Sequence, residues 1–347
     1  MNQQNHTEVT QAKNVVLENR NGMRLTVSEI GAAVVSLFTK NSAGKFEDVV
    51  LGYDNEQDYL DDTCYLGTVV GRYANRIAGD TVVIDNIPYK LPVREGGYHL
   101  HGGVSGFNKK RFQVSAFENQ NSSGYIFEYN SPHLEEGFPG TLSLKVIYTL
   151  DDNNNWIIEY KAVSDRTTLI NLTQHSYFNL SGRLDTTIDN HELKIYSQYY
   201  LPVNEKQVPT GALANVSGTP LDFRAFKKIG AHIHQSDRQL QLSNGYDHSW
   251  VLEKEHTPWL KQAATVKEPK SGRVLQVYTT EPAVHFYSGN FLDNVQGKKG
   301  IIYNKRSGFC LETQHFPDAP NHAAFPSTIL NAHQQFYSKT VYQFSTL

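Results

Sequence analysis

Apolar and polar side chains alternate with a period of two along most of this chain, and no stretch carries the long 3.6-residue periodicity of a helix that could cross over between parallel strands. Leu142, Leu144, Val146, Tyr148 and Leu150 alternate with Ser143, Lys145, Ile147 and Thr149. Beyond the polar turn at residues 151–155, Trp156, Ile158, Tyr160 and Ala162 repeat the pattern, which predicts a β-hairpin. Further short strands are expected at 25–27, 33–38, 81–84, 112–117, 125–129, 191–195, 274–278, 284–287, 308–313 and 340–344, with Asn, Asp and Gly between them. Only 221–230 and 54–60 offer brief helical stretches. The pattern predicts an all-β fold, a large antiparallel β-sandwich.

The 347 residues show no Pro/Gly/Ser-rich linker, compositional break or fixed-period repeat, so one domain over residues 1–347 is expected, with residues 1–12 a flexible N-terminal extension. A net charge of −3 with both signs interspersed gives no electrostatic case for nucleic acid. No apolar run approaches a membrane span and the N-terminus lacks a signal-peptide pattern, so a cytoplasmic protein without a membrane partner is expected. Cys64 and Cys310 stand far apart, outside any metal or disulfide spacing. No dinucleotide fingerprint, P-loop, H-E-x-x-H helix or calcium loop occurs, so neither a cofactor nor a metal is expected.

Five segments carry polar groups in aromatic or turn-rich surroundings. In Gly71-Arg72-Tyr73-Ala74-Asn75-Arg76-Ile77, Arg76 can aim a fork of donors at sugar hydroxyls or a carboxylate, or form an internal ion pair. In Tyr98-His99-Leu100-His101-Gly102-Gly103, an inward Leu100 would put His99 and His101 on the opposite face, beside a cleft or in a solvated loop. His175, among Thr173-Gln174-His175-Ser176-Tyr177-Phe178, is either a proton exchanger or a satisfied structural histidine. Asp247, in Gly245-Tyr246-Asp247-His248-Ser249-Trp250, can accept from hydroxyls with Tyr246 or Trp250 against the sugar's apolar face, or close an Asx-turn. Glu312 interrupts an otherwise hydrophobic strand, and a carboxylate buried there needs hydrogen bonds, a counter-charge or a task.

Taken in order with Gly-Thr-Pro-Leu-Asp-Phe-Arg at 218–224 and Leu-Glu-Thr-Gln-His-Phe-Pro-Asp at 311–318, these segments resemble the aldose 1-epimerase, or galactose mutarotase, family from about residue 22 to residue 344. The resemblance implies a galactose mutarotase-like supersandwich acting without a cofactor on free monosaccharides such as galactose and glucose. It also implies Glu312 as general base, His175 as general acid, His101 as a second active-site histidine that contacts the ring oxygen, and Arg76, Asp247 and Asn75 as substrate-binding residues. Tyr98 departs from the family's usual Asn, which bears on pocket shape, and Ala332-His333 replaces a usual Pro-Gly turn.

Anomer exchange by such a pair requires an ionised Glu312 to take the C1 hydroxyl proton while a protonated His175 gives one to the ring oxygen. The competing expectations are a glycoside hydrolase pairing Glu312 with Asp247, a sugar-binding module without catalysis, and an enzyme for phosphorylated hexoses, which would need cationic groups beyond Arg76.

Overall fold

The computed structural model describes residues 14–120, 122–252 and 258–347; the expected extension over residues 1–12 lies outside the described residues. Among these, a nine-stranded antiparallel sheet dominates, running in the order Gln113–Asn119, Ser122–Ser131, Leu142–Asp151, Asn155–Ser164, Gln335–Thr346, Arg273–Thr279, Lys261–Glu268, Glu192–Ile195 and Lys227–Lys228. The expected hairpin forms in register, with Leu150 opposite Trp156 and Leu144 opposite Ala162. Its alternation is literal: Leu142, Leu144, Val146, Trp156, Ile158 and Tyr160 are buried, while Ser143, Lys145, Lys161 and Val163 face solvent. Trp156 stacks on Tyr342 of the neighbouring strand with ring centroids 5.0 Å apart.

A five-stranded antiparallel sheet lies against this one, in the order Ala214–Asn215, Tyr199–Tyr200, Asp247–Val251, Ala283–Tyr287 and Cys310–Gln314. Trp250, Val284, Phe286 and Leu311 from its strands join Tyr148, Trp156, Ile158 and Tyr342 from the large sheet in one apolar cluster. Sheet-on-sheet packing is therefore the architecture, as the alternation requires. A four-stranded sheet over Asn14–Glu18, Arg24–Ser28, Val34–Lys40 and Phe46–Asp48 adds Leu17, Leu25, Val27 and Leu37 to the same core. No helix among the described residues is long and apolar enough to cross a membrane.

The helical expectations fare unevenly. A short helix forms at Glu56–Asp61, but residues 221–230 are turns, a two-residue strand at Lys227–Lys228 and a 3₁₀ turn at Ile229–Ala231. The Asp222 carboxylate there accepts from the Arg224 backbone N–H, a local bond that competes with a helical turn. The helix Arg238–Ser243 was not expected, although its caps are readable: Asp237 accepts from the N–H groups of Gln239 and Leu240, and Asn244 closes it at φ 54°.

Around the cleft the backbone is held in conformations that side chains disfavour. His101, Gly102 and Gly103 all have positive φ, at 52°, 83° and 108°, and Asn75 joins them at 63°. A Cβ on Gly102 would sit 1.8 Å from the Gly71 carbonyl oxygen, so only glycine lets this turn pass and present His101. Gly102→Ala is accordingly expected to destabilise the fold by about 2–4 kcal/mol and to cost His101 its orientation. Urea unfolding of wild type and variant checks this, and a difference below about 0.5 kcal/mol would contradict it.

Candidate active site

The five-stranded sheet has two unlike faces. Registers pair Ser249 with His285 and His285 with Glu312, and Asp247 with Tyr287 and Tyr287 with Cys310. Period-two geometry puts these six residues on one face and leaves Trp250, Val284, Phe286 and Leu311 for the core on the other. On the polar face a cavity of about 330 Å³ opens, lined by Glu312, Asp247, His285 and Tyr287 from the sheet, and by Asn75, Arg76, His101, His175, Tyr65 and Arg94 from the loops and short strands above it. The six sequence-derived candidates, Glu312, His175, His101, Arg76, Asp247 and Asn75, thus converge on one cleft.

Glu312 and His175 face each other with Oε1 and Nε2 3.5 Å apart. Both are buried, and Glu312 Oε2 has no hydrogen-bond partner. Burial and the nearby Asp247 charge push the Glu312 carboxyl well above the usual carboxylate range, against a smaller opposing pull from Arg76. Burial also lowers His175 to about 4. The two shifts together favour a shared proton on Glu312 over one on His175, whereas the catalytic step expected from sequence uses an ionised Glu312 and a protonated His175. The cause is desolvation, which penalises an ion pair more than a neutral acid and base at this depth. The pair still holds one proton in either arrangement.

His101 has a defined tautomer. The Asn75 backbone N–H donates to His101 Nδ1 at 3.1 Å, and the His101 backbone N–H returns a bond to the Asn75 carbonyl at 3.1 Å. Burial, then the neighbouring His175 and Arg76, hold this imidazole well below its ordinary value, so it is neutral. Its hydrogen must then sit on Nε2, making it a donor at the cavity side. The same fact bears on metals. Ligand atoms of His101, His175 and Glu312 lie within 4.8 Å of one another, a spacing a divalent cation can use. A His101 Nε2 that carries hydrogen offers that cation no lone pair, and freeing one would break the Asn75 bond.

Asp247 is fixed as an anion. Burial raises its pKa, but a 2.6 Å bond to His285 Nε2 and the charge of Arg76, whose Nη2 is 3.8 Å away, bring it down to about 2. Arg76 also donates to Gln207 and lies over the Tyr98 ring at 5.3 Å from its centroid, so Tyr98 acts on the cleft by packing the guanidinium. Arg72, from the same motif, serves structure instead: it donates to Ser131, Pro139, Gly140 and Thr168 in the interior.

Two local expectations are overturned. His99 and His101 do not share a face, because the strand Tyr98–Leu100 ends at the positive φ of His101; the His99 ring meets the Pro92 carbonyl at 2.8 Å and Phe138, while Leu100 and His101 line the cavity. Tyr246 and Trp250 offer no sugar-facing ring, since both are buried in the core. Tyr65, Tyr177, Tyr287 and Phe291 supply the aromatic wall instead. His285 and Arg94 were missed; His285 interrupts the apolar run Val284–Tyr287 as Glu312 interrupts its own, a signal open to the same reasoning.

Comparison with known proteins agrees with this geometry. The aldose 1-epimerase family model matches residues 13–343. The galactose mutarotase of Bos taurus is 42% identical over 93% of this chain and 91% of its own length. The aldose 1-epimerase of Escherichia coli (strain K12) is 37% identical over 95% of this chain and 94% of its own. A solved structure of a GalM/aldose epimerase homologue from C. elegans superposes with a TM-score of 0.85 at 31% identity, over 97% of this chain and 99% of that one. From its strand pattern, its polar cleft and this end-to-end likeness, the chain belongs to the aldose 1-epimerase family.

Proposed function

We propose that this enzyme interconverts the α and β anomers of free hexoses, galactose and glucose among them, by acid and base catalysis of ring opening and closure. The observation that carries the reading is the Glu312–His175 pair, 3.5 Å apart in one buried cleft with a carboxylate oxygen left without a partner. A pair that holds a single proton can take one from the substrate while giving one to it, which is the whole requirement of anomer exchange. The likeness to a galactose mutarotase and an aldose 1-epimerase supports the sugar class.

A bound sugar brings hydroxyl donors to the unpartnered oxygen of Glu312, and these favour the carboxylate. The proton then passes to His175, giving the working ion pair. Glu312 removes the O1 proton as the C1–O5 bond breaks, the O1 electrons form the aldehyde, and His175 protonates O5. Rotation about C1–C2 presents the other aldehyde face. Closure returns the O5 proton to His175 and the Glu312 proton to O1, so nothing is consumed. His101 donates its Nε2–H to the ring oxygen, where negative charge develops. Arg76, Asp247 and Asn75 hold the remaining hydroxyls, and the sugar ring lies along Tyr65, Tyr177 and Tyr287.

Freshly dissolved α-galactose followed by polarimetry tests this: the enzyme speeds the approach to the unchanged final rotation and leaves methyl α-galactoside intact. A rate equal to the spontaneous one, or cleavage of the methyl glycoside, would refute it. Glu312→Gln and His175→Asn are each expected to slow the reaction at least about 10²-fold, and a folded variant at near-normal rate would remove that residue from the mechanism. Because the folded-state pKa of Glu312 is raised, its contribution to stability is fully present below 4.5 and is lost as pH rises through the folded value. Glu312→Gln therefore gains stability relative to wild type with rising pH, which melting temperatures at pH 5 and pH 8, both about one unit or more from neutrality, will reveal; a constant difference would contradict the raised pKa.

The pH dependence of kcat/KM follows from the same inventory. Below about 4 both members of the pair are protonated and no base remains, so activity falls on the acid side near the His175 value. On the alkaline side activity falls as the pair loses its one proton, and between the limbs the profile is flat. Initial rates across this range check it, and an acid limb centred near the ordinary histidine value of 6.5 would contradict the burial-lowered His175.

A further inference from the structure

His285 is buried on the cavity wall, beside Glu312 on one neighbouring strand and Ser249 on the other. Its Nε2 is 2.6 Å from Asp247 Oδ1 and its Nδ1 is 2.9 Å from Ser249 Oγ. An ionised carboxylate can only accept, so the hydrogen between His285 and Asp247 belongs to Nε2. A ring of that tautomer accepts at Nδ1 from the Ser249 hydroxyl. Each partner fixes the other: the serine selects the tautomer, and the tautomer aims a hydrogen at the carboxylate.

The Ser–His–Asp composition resembles a hydrolytic triad, but the roles do not fit. Ser249 is buried and is not among the residues lining the cavity, and its hydrogen is spent on the imidazole. The trio is turned the other way, with its carboxylate at the cavity and its hydroxyl behind.

We propose that His285, oriented by Ser249, is a positioning residue that grips Oδ1 of Asp247 and so leaves Oδ2, on the Arg76 side, to accept from sugar hydroxyls. Without this grip, Arg76 at 3.8 Å is the remaining ion-pair partner of the Asp247 side chain among the described residues. A carboxylate aimed from one side binds hydroxyls that do not react, so its misplacement weakens sugar binding more than it slows the bound sugar. The inference rests on the anomer-exchange reading for its substrate, and on the strand registers and the two hydrogen bonds of His285 for its geometry.

The test is kinetic and spectroscopic. His285→Leu is expected to raise KM for galactose about tenfold or more while kcat changes by less than about threefold. His285→Gln, whose amide keeps an N–H donor, restores KM to within about threefold of wild type. Ser249→Ala moves KM in the same direction by a smaller factor. An unchanged KM in His285→Leu, a fall confined to kcat, or a glutamine variant as impaired as leucine would each overturn the proposal. Should His285→Leu fail to fold, nitrogen-15 NMR of the wild-type imidazole decides: a hydrogen on Nε2 supports the grip on Asp247, and a bare Nε2 overturns it. Should wild type leave mutarotation at its spontaneous rate, the functional reading fails by itself, and galactose affinities of the same variants by calorimetry still decide the role of His285.

Discussion

Desolvation of the Glu312 carboxyl is the constraint around which the cleft is organised. A carboxylic acid placed mid-strand with one oxygen unpartnered is costly to ionise, and the surroundings do not neutralise that cost. Arg76 pulls toward the anion, Asp247 pushes toward the acid, and the push together with burial prevails. His175 meets the same low-dielectric surroundings from the other side and sheds its proton. The outcome is an acid and a base within contact distance, in surroundings that disfavour the charged form of each.

The fold makes this arrangement possible by giving one sheet two incompatible faces. Trp250, Val284, Phe286 and Leu311 anchor the five-stranded sheet on the large one, and that anchoring keeps Asp247, His285 and Glu312 in register with each other. The groups above the sheet need a different device, since loops supply them. Asn75 and His101 exchange backbone and side-chain hydrogen bonds at two left-handed positions, so that strain in the turn is offset by a reciprocal lock. The same lock makes His101 a donor, which suits an oxygen acquiring charge and is unsuited to a cation.

Much of this was legible in the sequence, for physical reasons that can be named. Alternation reported the strands because each has one apolar face, as in the 142–164 hairpin. Glu312 stood out because a charge in an apolar strand is expensive. What stayed hidden depends on three dimensions. The tautomer of His101 follows from where the Asn75 amide points, and the resting proton on Glu312 follows from burial that no sequence position displays. Tyr246 and Trp250 looked like sugar platforms by proximity to Asp247, whereas strand alternation sends Trp250 to the opposite face and Tyr246 packs against Phe223 and Phe286. The helix expected at 221–230 gives way to turns and a short strand, where the Asp222 side chain bonds the backbone of Arg224.

The most direct examination of the central claim is infrared difference spectroscopy of wild type against Glu312→Gln at neutral pH, without and with galactose. A protonated carboxyl band that belongs to residue 312 in the empty enzyme, and that gives way to a carboxylate band when the sugar binds, is the result predicted. An ionised carboxylate in the empty enzyme, or a protonated band untouched by saturating galactose, would contradict the one-proton pair on which the mechanism is built.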